Sequence, residues 1–238
     1  MPPKPQKATG LSIVDRLETL DPPELADYVQ GVSEYVRERQ TLTDGQAKAA
    51  QIRLSNALGK ALLAELRSLL PGLKGVAGEH TVSGALRTVQ ADVSDSDSID
   101  GLRLAIEIKP VNLAVGRAIW NRFGDIRTFA VNLHLKFPFA VVGGVLVIPT
   151  YEGALNSQGV AVQKSTTHLI ERAVERLVRA GGRRSEGDAP HLLEGVCVIA
   201  YDPDTGQLDP NIPPSGKGLR WDEFIGELVA AYDARFVG

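Results

Sequence analysis

The chain has 238 residues, 43% hydrophobic and 23% charged, with a formal net charge of −3 and a single cysteine. This is the composition of a folded globular protein of one domain with an elaboration, and it excludes a disordered chain, a disulfide framework and any global attraction to nucleic acid or anionic membrane. A polyanionic partner must therefore meet a local basic patch.

The opening "MPPKPQKATG" is rich in Pro and Lys and has no apolar region behind it, so residues 1–10 read as a disordered tail and not as a signal peptide. Residues 11–43 form a helical preface, "LSIVDRLETL" and "PELADYVQGVSEYVRERQ", divided by "DPP". The domain proper is expected from 44 to 238. Its first helix spans about 44–70. Thr43 and Gln46 make a capping box, Leu58, Leu62, Leu66 and Leu69 recur at helical spacing, and Pro71-Gly72 stops it.

From 76 to 109 the pattern alternates with period two in "EHTVSGALRTVQADV" and "LRLAIEIK", a β-meander interrupted by a Ser- and Asp-rich loop that holds Asp95 and Asp97. "VNLAVGRAIWNRFGDIRTFAVNLHLKFP" returns to helical spacing through Ile119, Phe123, Ile126, Ala130, Leu133 and Phe137, with Gly124 as a point of bending and Pro138 as its end. "FAVVGGVLVIP" is apolar throughout, as in a central strand covered on both faces. "TTHLIERAVERLVRAGG" is an amphipathic helix, "LLEGVCVIAYD" a second buried strand that encloses Cys197, and "WDEFIGELVAAYDARF" a terminal helix. The longest apolar run, Phe139 to Ile148, is too short for the ~20 residues of a membrane helix, and a cytoplasmic protein is expected.

Glu107 and Lys109 lie two apart on a strand otherwise apolar, so they share a face. Buried strands exclude charge unless it is paired or binds metal. A local salt bridge at the sheet rim is one explanation. The other adds an aspartate from the preceding strand, making two carboxylates and an ammonium that suit Mg2+ and a phosphodiester. Four aspartates precede the strand. Asp95 and Asp97 alternate with serines, Asp100 precedes Gly101 in a favoured turn pair, and Asp92 ends the alternating run "LRTVQADV".

Asp92, fourteen residues, then Glu107-Ile108-Lys109 resembles the D-x(n)-(D/E)-x-K signature of the PD-(D/E)xK nucleases, with Ala91 where the family name has Pro. The order helix, three strands, helix, strand is similar to their αβββαβ core, and the segment "NRFGDIRTFAVNLHLKFPFAVVGGVLVIP" resembles the helix and strand that come after the active-site strand in restriction-endonuclease-like proteins. The resemblance implies an α/β fold, a restriction-endonuclease-like αβββαβ core with a mixed central sheet of about five strands flanked by helices. It implies Asp92 and Glu107 as ligands of Mg2+, for which Mn2+ substitutes, and Lys109 as the catalytic lysine. Asp100 stays open as the first acid, because an aspartate six residues before the E-x-K motif also occurs in this fold. Glu65, the one acid of the helix interior, is open as a further carboxylate against an ordinary surface role.

Implied partners are double-stranded DNA, a second copy of the chain and a cognate methyltransferase. The implied activity is that of a type II restriction enzyme or related defence nuclease. A structure-specific repair or recombination nuclease and a catalytically silent nucleic-acid binder are the alternatives. Candidate DNA contacts are Arg117, Asn121, Arg122, Arg127 and His134 on the helix after the active-site strand, with Asp125, Thr128 and Asn132 on the same polar side, and Arg172, Arg176, Arg179, Arg183 and Arg184 further on. A polar face on an amphipathic helix is more often an ordinary solvated surface, and Glu175 with Arg179 at i,i+4 also suits a surface helix. Other chemistries fail: "DSDSIDG" has its Gly misplaced and Ile106 where a calcium loop needs Glu, the four histidines have no zinc spacing, and no complete phosphate loop or G-x-S-x-G elbow occurs.

Overall fold

The computed structural model describes residues 8–155 and 157–237. Of the expected tail, residues 1–7 lie outside this range. Thr9 is fully buried, its hydroxyl donating to Asp15 at 2.6 Å.

Two helices, α1 (Ser12–Leu17) and α2 (Leu25–Glu38), make the preface. Glu34 of α2 joins them, its carboxylate accepting the N–H groups of Ser12, Ile13 and Val14 at 2.8–3.0 Å. Those are orphan donors of the first turn of α1, so one buried acid caps a helix from another element. Helix α3 (Asp44–Leu69) opens on the expected box, the Gln46 N–H donating to Thr43 Oγ1 and the Thr43 N–H to Gln46 Oε1. Leu58, Leu62 and Leu66 are fully buried, each contributing about 1.5–3 kcal/mol of transfer free energy. Leu69 is exposed instead of continuing the stripe, because Leu70 and Leu73 turn inward at the helix end and fill that part of the core.

Strands β1 (Val76–Ser83), β2 (Thr88–Asp97) and β3 (Gly101–Pro110) form an antiparallel meander. Helix α4 (Val115–His134) crosses over to β4 (Val141–Pro149), parallel to β3, and α5 (Thr167–Val178) leads to β7 (Gly195–Asp202), parallel to β4. Between β4 and α5 lies a separate hairpin, β5 (Tyr151–Leu155) with β6 (Ala161–Ser165), which the sequence patterning does not announce. The short β8 (Gln207–Leu208) adds an edge, and α6 (Trp221–Phe236) ends the chain. The result is an α/β fold whose mixed central sheet has six strands in the order β1-β2-β3-β4-β7-β8, one more than the expected five.

Apolar side chains fill both faces of this sheet. One core joins α1, α2, α3 and α6 to Leu104, Ile106 and Ile108 of β3; the other joins α4 and α5 to Ala105, Val142 and Leu146. All nine residues of β4 are buried, as a strand covered on both sides must be. Gly143 and Gly144 let helices come close to that strand. A Cβ on Gly144 would stand 2.5 Å from Ile126 of α4, and one on Gly143 would stand 3.2 Å from Phe224 of α6. Helix α4 runs unbroken past Gly124. Among the described residues no helix is long and apolar enough to cross a membrane.

The expected Ser/Asp-rich loop is not a loop. Strand β2 continues through Asp97, and Asp95 is buried, accepting the Tyr232 hydroxyl of α6 at 2.7 Å. An acidic, serine-flanked stretch folds as a strand here because its buried carboxylate finds a partner 137 residues away.

Candidate active site

The pairing of β2 with β3 runs as far as Val93↔Ile106, and Asp92 and Glu107 are the residues just beyond it, close enough for the charge of Asp92 to act on Glu107. The backbone ladder is replaced there by a side chain: the N–H of Ile108 donates to Asp92 Oδ2 at 2.7 Å. The other oxygen, Oδ1, accepts the Ser55 hydroxyl of α3 at 3.1 Å. Helix and strand together therefore fix this carboxylate. Gly59, one turn beyond Ser55, makes the approach close, since a Cβ there would lie 3.3 Å from the Asp92 carbonyl oxygen.

Glu107 is only 8% exposed. Its Oε1 pairs with Lys109 Nζ, two residues along the same strand, while Oε2 is buried with no hydrogen-bond partner. An unmet buried carboxylate oxygen costs at least about 1–3 kcal/mol, so this atom opposes folding. Burial pushes the Glu107 carboxyl up to about 7; Lys109 pulls it back, and the charges of Asp92 and of Asp125 on α4 add to the rise. Asp92 is also raised, first by burial and further by Glu79, against the bonds from Ile108 and Ser55 and the charge of Lys109. Two acids at one strand end thus resist sharing two negative charges.

A divalent cation would answer that conflict. Among the described residues no group of three or more His, Cys, Asp or Glu side chains is placed to hold a metal. Mg2+, however, commonly takes one or two protein carboxylates and fills its remaining positions with water and substrate phosphate. Asp92 and Glu107, with the unpartnered Oε2, fit that requirement.

The other sequence candidates fall elsewhere. Asp100 lies at the opposite end of β3, roughly 20 Å along the strand, bonded to Arg103. Glu65 is exposed, about 15 Å along α3 from Ser55, and accepts the Trp221 indole N–H. His134 is turned inward, its ring nitrogens against the Pro190 carbonyl at 3.1 Å and Glu194 at 3.2 Å, which removes it from any surface contact. Asn132 is fully buried as well. Its Oδ1 accepts the N–H groups of Leu86 and Arg87, and its Nδ2 donates to the Arg87 carbonyl, closing the β1–β2 turn. Arg183 is buried against Glu194, and Arg184 pairs with Glu227, so neither is free for phosphate.

Arg117, Asn121, Arg122, Arg127 and Thr128 are exposed on α4, and Asp125 pairs with Arg122 at 3.1 Å. Arg172, Arg176 and Arg179 are exposed on α5 and just beyond its end. Arg179 does not pair with Glu175 as expected; its Nε donates to the Glu175 carbonyl at 3.1 Å. Sequence reasoning missed Ser55 and Glu79. Ser55 and Gly59 at i,i+4 form a small-residue face on α3, a signal that α3 approaches β2 there; Glu79, at a bulge of β1 beside Gly78, leaves none.

No family model, curated protein or solved structure matches the chain.

Proposed function

We propose that the protein is a Mg2+-dependent deoxyribonuclease with a restriction-endonuclease-like core, hydrolysing phosphodiester bonds in double-stranded DNA as a type II restriction enzyme or related defence nuclease. The observation that carries the reading is the meeting of Asp92, Glu107 and Lys109 where β2 and β3 part, with Glu107 Oε2 buried and unpartnered. The meander β1–β3 followed by α4 and a parallel β4 supports the same fold reading.

In this reading Asp92 and Glu107 hold the cation. When bound, it polarises the phosphodiester and acidifies a water molecule. Lys109, partly open to solvent and steadied by Glu107 Oε1, donates a hydrogen bond to the attacking oxygen and offsets charge growing on the phosphoryl oxygens. Ser55 and the Ile108 N–H keep Asp92 from rotating away. Because both strands of a duplex are cut by symmetric enzymes, two copies of the chain act together, and a cognate methyltransferase protects the host.

Incubation of the purified protein with plasmid DNA tests this. Cleavage should need Mg2+ or Mn2+ and stop with a chelator. Discrete fragments identify a sequence-specific enzyme and general degradation a structure-directed one, while no cleavage with either metal refutes the activity.

A further inference from the structure

We propose that the groove between α4 and α5 is a second nucleic-acid contact, gripping the phosphates of a strand outside the Asp92–Glu107 site. The groove has a volume of about 320 Å3 and is lined by Phe123 and Arg127 of α4 and by Arg176, Arg179 and Ala180. Arg176 lies over the Trp120 ring at 4.1 Å and Arg172 at 5.5 Å, and Arg127 lies over Phe123 at 5.8 Å. Ring faces and the Glu175 carbonyl orient these guanidinium groups. Among the described residues none of the four arginines forms an ion pair, whereas Arg122, Arg183 and Arg184 on or beside the same helices all do.

Three arginines without an ion pair line this groove and a fourth, Arg172, flanks it over Trp120, which on a chain of net charge −3 makes a local site for anions. Guanidinium forks match phosphate oxygens in pairs, and ring stacking holds them preorganised. From Arg172 to Arg179 the helix rises about 10 Å, the axial span of roughly four successive phosphates of one DNA strand. That length favours a strand over a single small anion. The groove is also distinct from the candidate active site. Asp125, whose charge reaches Glu107, and Arg127 are two residues apart, about 200° around α4, so they face opposite flanks. DNA held here extends past the cleaved bond.

The inference rests on the nucleic-acid reading above, and its test reads binding without cleavage. Fluorescence anisotropy of a labelled duplex, in chelator, is measured from about 50 to about 200 mM salt for wild type, R176A/R179A and the charge-preserving R176K/R179K, each checked by thermal melt. The alanine pair should weaken binding at least about tenfold and reduce the slope of log affinity against log salt by about 2, while the lysine pair keeps the wild-type slope. Affinity within about twofold of wild type together with a slope changed by less than about 0.5 in R176A/R179A, or no duplex binding by wild type, would overturn it. A wild type that binds through these arginines yet cuts nothing with Mg2+ refutes the nuclease reading alone.

Discussion

Two clusters of buried charge lie on the sheet with β4 between them, about two residues apart in level, and they are built on opposite principles. Glu194, before β7, receives the Val142 N–H at 2.8 Å, His134 at 3.2 Å, Arg183 at 3.2 Å and Arg235 at 2.8 Å. Burial alone would push its carboxyl up, but His134, Val142 and Arg235 together hold it below the ordinary range. Glu107 has one cation and one empty-handed oxygen, and is driven up to about 7. A carboxylate whose every lone-pair direction is met serves the fold; one left short is held in readiness for something that arrives later.

Replacing both glutamates is the sharpest way to break this contrast. Glu194→Ala leaves Arg183 and Arg235 as uncompensated buried cations and should cost about 3–5 kcal/mol in a urea melt. Glu107→Ala removes a burden as well as a bond, and should change stability by less than about 1 kcal/mol because Lys109 reaches solvent. Equal losses in the two variants would mean that both clusters are structural.

Activity gives the next largest effect. Asp92→Ala and Lys109→Ala should each lower plasmid cleavage by at least about 100-fold, with duplex affinity in Lys109→Ala kept within about tenfold. Asp100→Ala, which loses only a turn contact to Arg103, should cut normally. Cleavage lost in Asp100→Ala and kept in Asp92→Ala would reassign the first ligand.

Metal binding can be read without turnover. Mg2+ at ten times its dissociation constant should stabilise the wild type by about 1.4 kcal/mol, seen as a raised Tm, with the shift absent from Asp92→Ala and Glu107→Ala. A shift that persists in both variants would place the cation elsewhere. Acid gives the smallest effect. Because Glu194 titrates below its ordinary value in the folded chain, it contributes stability above that value which is lost as pH falls through the lowered one. Glu194→Gln should be less stable at neutral pH and lose less on acidification; identical acid slopes in the two proteins would show that other carboxylates dominate.

Much of this architecture is legible in the sequence. Periodicity carries the order of helices and strands over 44–201, because covered faces must be apolar at the period of each element. The choice of Asp92 over Asp100 rests on turn chemistry, which gives Asp100 a local purpose and leaves Asp92 without one. The illegible part is long-range. Nothing near Asp95, Asn132, His134 or Arg183 announces that Tyr232, the β1–β2 turn and Glu194 will claim them, so a polar residue with a distant partner reads like a solvated one. The β5–β6 hairpin escapes for a related reason: β6 is exposed along its whole length and so has no buried face to impose alternation.

Gly144 is the residue in register with Glu107 on the neighbouring strand, and Ile126 occupies the space its missing side chain leaves. Partners in register present the same face, so a branched hydrocarbon stands where water would otherwise flank the carboxylate. The dryness that makes Glu107 reluctant to ionise is thus partly set by a hydrogen atom on another strand. Adding one methyl there would lift α4 and wet the acid, altering its chemistry with every charged group still in place.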